Sequence, residues 1–159
     1  MTAQHHSVKI MWENYLKAKK EKDNEEPNEK ECASWHFCNN EKDANELAEL
    51  VLKGIKRATA SLYDGYAFED QSIPEVGNHS IITNWEGVGQ CIIKTIKIDV
   101  VAFKDVTAEF AKTEGEGDQS LDYWRRGHWK FFSEEKKMMN EEPTEDMLVV
   151  CEEFEIVYK

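Results

Sequence analysis

The chain has little that would staple a small fold together. Its 159 residues hold four cysteines, Cys32, Cys38, Cys91 and Cys151, with no C-x-x-C pair and only His36 between the first two. That spacing argues against structural zinc, and no metal is expected. No apolar run approaches the ~20 residues of a membrane helix, and the opening MTAQHHSVKIMW lacks the basic and apolar regions of an export signal. These absences predict a cytoplasmic protein with reduced thiols and no membrane partner. Cations are also scarce: 20 Lys and Arg stand against 32 Asp and Glu, a net charge of −12. Such a balance repels long polyphosphates, so DNA is not an expected partner. RNA remains open only through local clusters, Lys53, Lys56 and Arg57 or Arg125, Arg126, His128 and Lys130. Three prolines, no internal repeat and no low-complexity block fit one globular domain.

What is present is patterned. Val8, Met11, Trp12, Tyr15 and Leu16 follow helical spacing behind Ser7, a predicted cap, and the chain then runs into the charged connector KKEKDNEEPNEKE. Asn39 or Asn40 caps a second helix striped by Ala44, Leu47, Ala48 and Val51, with Gly54 beyond its end. SIITNW and CIIKTIKIDVVAF, joined by a glycine turn, predict a hairpin in which Ile96, Ile98 and Val100 face the core and Thr95, Lys97 and Asp99 face water. The C-terminal MLVVCEEFEIVYK predicts a closing strand with Leu148, Val150, Phe154, Ile156 and Tyr158 inward. Thr107 and Ser120 each cap a helix between these strands. The fold class is therefore α+β, with a curled mixed sheet and flanking helices.

The segment GIKRATASLYDG carries the first chemical candidates. Lys56 follows a helix end, and Ile55, Ala58 and Leu62 are expected to hold it against the core. Burial disfavours an ammonium, which makes Lys56 a candidate base for the Thr59 hydroxyl. An offset of three places the two on opposite faces of an ideal strand, so their cooperation requires a bend in Arg57-Ala58-Thr59. A solvated lysine beside a strand threonine is the bland alternative. Glu114, in helical phase with Phe110 and Ala111, points inward and needs a partner, for which a lysine is the cheapest. Glu114, Glu116 and Asp118 do not match a calcium-loop pattern. Tyr63, Trp85 and Trp124 are candidate stacking surfaces for a nucleobase, or core residues; His128 is a candidate contact, or a core histidine.

These segments together resemble the ASCH domain family, a relative of PUA-type RNA-binding modules. The resemblance covers residues 32–158 and rests on GIKRAT, similar to the family's G-x-K-x-x-T, on the hairpin, and on AKTEGEGDQSLDYWRRGHWKFF, whose E-G-E-G-D…W…H…F-F order is that of longer bacterial members. It implies a small PUA-like β-barrel flanked by helices over residues 32–159, preceded by a helix and connector at 1–31. It also implies an amidohydrolase acting on a small N-acylated pyrimidine nucleoside such as N4-acetylcytidine, without a cofactor. In that reading Lys56 deprotonates Thr59, Glu114 orients Lys56 or passes a proton to the leaving amine, and Arg57, Tyr63, Trp85, Trp124 and His128 bind the substrate. Compact members carry an arginine two residues after the threonine, where this chain has Ser61. The alternatives are an RNA-binding or RNA-cleaving module and a non-catalytic nucleoside sensor.

Overall fold

A computed structural model describes residues 3–24 and 32–159; part of the charged connector lies outside the described residues. The chain order is α1 (His6–Asp23), β1 (Ala33–Trp35), α2 (Glu41–Leu52), β2 (Ala58–Leu62), α3 (Tyr63–Phe68), β3 (His79–Thr83), β4 (Gly89–Ala102), α4 (Ala108–Glu114), α5 (Leu121–Met138) and β5 (Leu148–Tyr158). The strands form one hydrogen-bonded sheet in the order β1-β3-β4-β5-β2, mixed because β1 runs parallel to β3 while the other described pairings are antiparallel. The architecture is α+β, as the patterning predicts. No helix among the described residues is long and apolar enough to cross a membrane.

The chain divides into two compact units. The first comprises Met1–Lys53, Asn78–Lys94 and Glu155–Lys159. Its core gathers Val8, Trp12 and Tyr15 of α1 with Ile81 of β3 and Ile92 of β4. The cap of α1 is His5, whose Nδ1 accepts from the Ser7 amide, rather than Ser7. Ser7 lies two residues further in, within the first turn, and its Oγ accepts from the Gly89 amide, which fixes the helix to β4. Asn40 caps α2, and Gly54 lies beyond its end at φ +74°, as expected. The thiol of Cys91, fully buried in β4, is pushed up by that burial to about 11.

The second unit comprises Gly54–Gly77 and Thr95–Phe154. Leu62, Phe103, Ala111, Trp124, Phe132 and Val149 are central to its core. Helices α4 and α5 begin at the predicted caps, where Thr107 accepts from the Phe110 amide and Ser120 from the Tyr123 amide. The predicted inward face of β4 is wrong beyond Lys94: Ile96 and Val100 are 48% and 43% exposed, while Thr95 is buried. The reason lies in β5, where Glu152 is buried and takes the Thr95 hydroxyl at 2.8 Å. A buried carboxyl requires a donor, and this bond sets the parity of the strand. On β5 itself Val150 and Phe154 are inward as predicted, but Val149 and Cys151 are buried as well and Leu148 is exposed.

Candidate functional site

The site lies wholly in the second unit and is assembled from the start of β2, the end of α4 and the first turns of α5. Lys56 and Glu114 are each 1% exposed, and Lys56 Nζ stands 3.6 Å from Glu114 Oε1. The ammonium also donates to Glu116 Oε1 at 3.2 Å and to the Ala58 carbonyl at 2.8 Å. Ala58, whose carbonyl takes the ammonium, and Leu62 at the far end of β2 are buried, whereas Ile55 is exposed.

Glu114 reaches the interior because the Thr107 cap fixes the phase of α4, and the carboxylate falls on the side of Ala111. The helix then stops at Gly115, which adopts φ +74° and makes the closing bond to the Ala111 carbonyl. Any Cβ at position 115 would sit 2.3 Å from the Ile55 carbonyl oxygen, so glycine is required twice, by conformation and by close approach. The same seam is pinned by the Arg57 amide, which donates to the Thr113 carbonyl.

Both oxygens of Glu114 are engaged. Trp124 Nε1 donates to Oε2, and His128 Nε2 lies 3.1 Å from Oε1. Nδ1 of His128 is 2.9 Å from the Trp124 carbonyl, so both ring nitrogens face acceptors, the arrangement an imidazolium satisfies. Burial opposes a charge on His128, but the Glu114 carboxylate and its hydrogen bond outweigh it and raise the pKa. For Glu114, burial acts upward and is overcome by the charges of His128 and Lys56 and by two hydrogen bonds, which hold the carboxyl down at about 2. The imidazole stacks on the Trp124 indole at 4.1 Å between centroids, which fixes its tilt.

Glu114, Glu116 and His128 place one ligand atom each within 4.8 Å of one another, a geometry that a metal ion also uses. Lys56 Nζ already sits on the same two carboxylates, and Trp124 and His128 also bond to Glu114. An ion would have to displace the ammonium, and the donor set is that of an ion-pair cluster.

Thr59 stands differently. Residues 58–62 are an uninterrupted strand in register with 149–153, and the bend that Lys56 and Thr59 require is absent. The pleat puts Ala60 and Leu62 with Cys151 and Val149 on the side that packs against α4 and α5. Thr59 and Ser61 project from the other side, where Thr59 is paired across the strands with Glu152. Lys56 nevertheless ends on the carbonyl of Ala58, the residue before Thr59.

Of the expected substrate contacts, Trp124 is 3% exposed and enclosed by Phe103, Phe110 and His128, so it is a wall of the cluster and not an open stacking surface. His128 joins the cluster directly. Tyr63 opens α3 half-buried, and Arg57 is exposed at the start of β2. Trp85 belongs to the first unit, where its ring packs on His36 and its amide donates to Asn45. Two residues went unrecognised from sequence. From sequence Glu116 stands only as a candidate metal ligand. Glu152 had a visible signal, a lone charge in the parity of Val150 and Phe154.

The ASCH domain family model matches residues 33–158. The chain is similar to the crystal structure of an ASCH domain from Lactobacillus crispatus JV V101, with 34% identity and a TM-score of 0.88 over 100% of this chain and 99% of that one. It is similar to a protein from Enterococcus faecalis V583, with 34% identity and a TM-score of 0.81 over 96% and 89% of the two chains. A hypothetical protein at 23% identity and a TM-score of 0.50, over 70% and 92% of the chains, shares the fold alone. A search of curated proteins finds no match. On the family match and the likeness of the first two structures, the chain belongs to the ASCH domain family, with its PUA-like fold.

Proposed function

We propose that the protein is a cytosolic amidohydrolase that removes the acyl group from a small N-acylated pyrimidine nucleoside. The observation that carries this reading is the buried Lys56–Glu114 pair held by His128, Trp124 and Glu116. Ionised groups cost several kcal/mol to desolvate, and an apolar replacement of similar volume is usually as stable, so such a cluster beside a glycine loop marks a working site. Thr59 supplies the nucleophilic hydroxyl from β2. Lys56, whose ammonium meets the chain one residue earlier, binds and polarises the acyl oxygen, and Glu114 orients Lys56. Glu116 is the partly exposed member, carried between Gly115 and Gly117, and it is the group a ligand displaces to reach Lys56. Tyr63 and Arg57 border the base and sugar.

A neutral nucleoside suits a chain of net charge −12 better than RNA does. The local charge argues the same way, because two carboxylates already neutralise Lys56. The test is incubation with N4-acetylcytidine while cytidine release is followed, with Thr59→Ala, Lys56→Met and Glu114→Gln in parallel and folding checked by circular dichroism. Release by wild type and its loss in Thr59→Ala support the reading. Binding of a short RNA that weakens steeply with salt, without release, replaces it by an RNA-binding module. Nucleoside binding unchanged in Thr59→Ala, again without release, makes it a sensor.

A further inference from the structure

The straight course of β2 leaves Thr59 without Lys56 as a proton acceptor, and the sheet offers another group. Strands β4, β5 and β2 are consecutive neighbours, and across them run Thr95, Glu152 and Thr59. Glu152 is 6% exposed, its Oε2 accepts from Thr95 Oγ1 at 2.8 Å, and Thr59 is its directly opposed residue on the other flank. Directly opposed side chains have Cβ atoms about 5 Å apart, within reach of a carboxyl and a hydroxyl. The row continues along β2 into Ser61, which accepts from the Tyr66 hydroxyl at 2.9 Å. For a merely structural role the carboxyl is a costly choice: its described partner is a neutral hydroxyl, and a glutamine or an aliphatic chain fills the position without a charge to desolvate.

We infer that Glu152 is the proton acceptor of the Thr59 hydroxyl, which a rotation of the Thr59 side chain brings onto it across the β2–β5 pair, with Thr95 fixing the carboxyl from the opposite flank. Burial raises its affinity for a proton, and the Thr95 bond only partly opposes this, which is the direction a proton acceptor needs. The groups facing it are Thr59 from β2, Thr95 from β4 and, through charge, Tyr66 from α3. The chemistry rests on the amidohydrolase reading, whereas the pairing does not. Thr59 Oγ1 bonds to the acyl carbon as its proton passes to a Glu152 oxygen. The carbon–nitrogen bond then breaks, and the departing amine takes that proton. Water next adds to the acyl-threonine, the ester bond breaks, and the carboxylic acid leaves with the Thr59 hydroxyl restored.

The pairing is read without turnover by 13C NMR titration of the Glu152 carboxyl, its resonance assigned by its disappearance in Glu152→Gln. Thr95→Val is the yardstick, since it deletes a bond the structure contains. Loss of a donor raises a carboxyl's pKa, and Thr59→Val is expected to move the midpoint upward by roughly half a pH unit, in the direction of Thr95→Val. A midpoint moved by Thr95→Val and untouched by Thr59→Val overturns the pairing. With N4-acetylcytidine, Glu152→Gln is expected to lower kcat about 100-fold or more with little change in KM, and Glu152→Asp to restore part of it. Wild-type kcat in Glu152→Gln overturns the proton transfer. An inactive wild type that still shows the Thr59→Val shift removes the amidohydrolase reading and supports the pairing.

Discussion

Replacing Glu114 by glutamine keeps the shape of the side chain and an acceptor for Trp124 but removes the charge facing Lys56 and His128. Breaking a buried pair at one end costs about 3–5 kcal/mol, and retention of Glu116 beside Lys56 puts the expected loss at the lower end. Linkage gives a second route to the magnitude. The Glu114 carboxyl is lowered from 4.5 to about 2 in the folded chain, and that difference corresponds to about 3 kcal/mol. Because the folded value is the lower one, this stability is present above pH 4.5 and is lost as the pH falls toward 2. His128 works in the opposite sense, since its raised pKa contributes below 6.5 and fades as the pH rises through the folded value. In urea, with a slope of about 2 kcal/mol per molar, Glu114→Gln should lower the midpoint by about 1.5 M at pH 7. The gap to wild type should narrow to less than about half by pH 3. Equal midpoints at pH 7, or a gap that does not change with acid, would show that the cluster stores no such energy.

Gly115→Ala combines a left-handed backbone with a Cβ 2.3 Å from the Ile55 carbonyl, whereas a Cβ at Gly87, also left-handed, meets only His5 at 3.7 Å. The first should lower Tm by roughly 5 °C or more and the second by only a few degrees; equal shifts would mean the close approach costs nothing. Glu135 is raised to about 7, chiefly by burial and then by Glu69, so its stabilising contribution is present below about 4.5 and is lost as the pH rises through 7. Glu135→Gln should therefore gain in Tm over wild type at pH 8 and not at pH 4. Lys136, buried on α5, joins Asp64 at 2.7 Å and Glu141 at 2.6 Å, both half exposed. Lys136→Met leaves two carboxylates that water re-solvates, and its expected cost in urea is about 1 kcal/mol; a loss near 4 kcal/mol would show that the pair is not so relieved.

Local chemistry made much of the site legible. Thr107 as a cap fixes the phase of α4, and that phase alone turns Glu114 inward to a lysine. Gly54 and Gly115 mark the helix ends because only their positive φ closes those turns without strain. What remained hidden depends on pairing between distant segments. Ile96 looks like a core residue until Glu152 is known to need Thr95, and Thr59 looks like a partner of Lys56 until the register with β5 straightens the strand. The short β1 carries too few residues to signal itself, and its existence depends on a parallel partner 47 positions further along, as in Ala33 opposite Ser80.

Each unit buries one cysteine. Cys91 and Cys151 have thiols pushed up to about 11 and 12, chiefly by burial, so at neutral pH alkylating reagents reach them only when the surrounding fold opens. Cys38, exposed, reacts at once and serves as the zero of time. Mass spectrometry of the labelled peptides thus turns the native sequence into two internal clocks, one for each half of the chain.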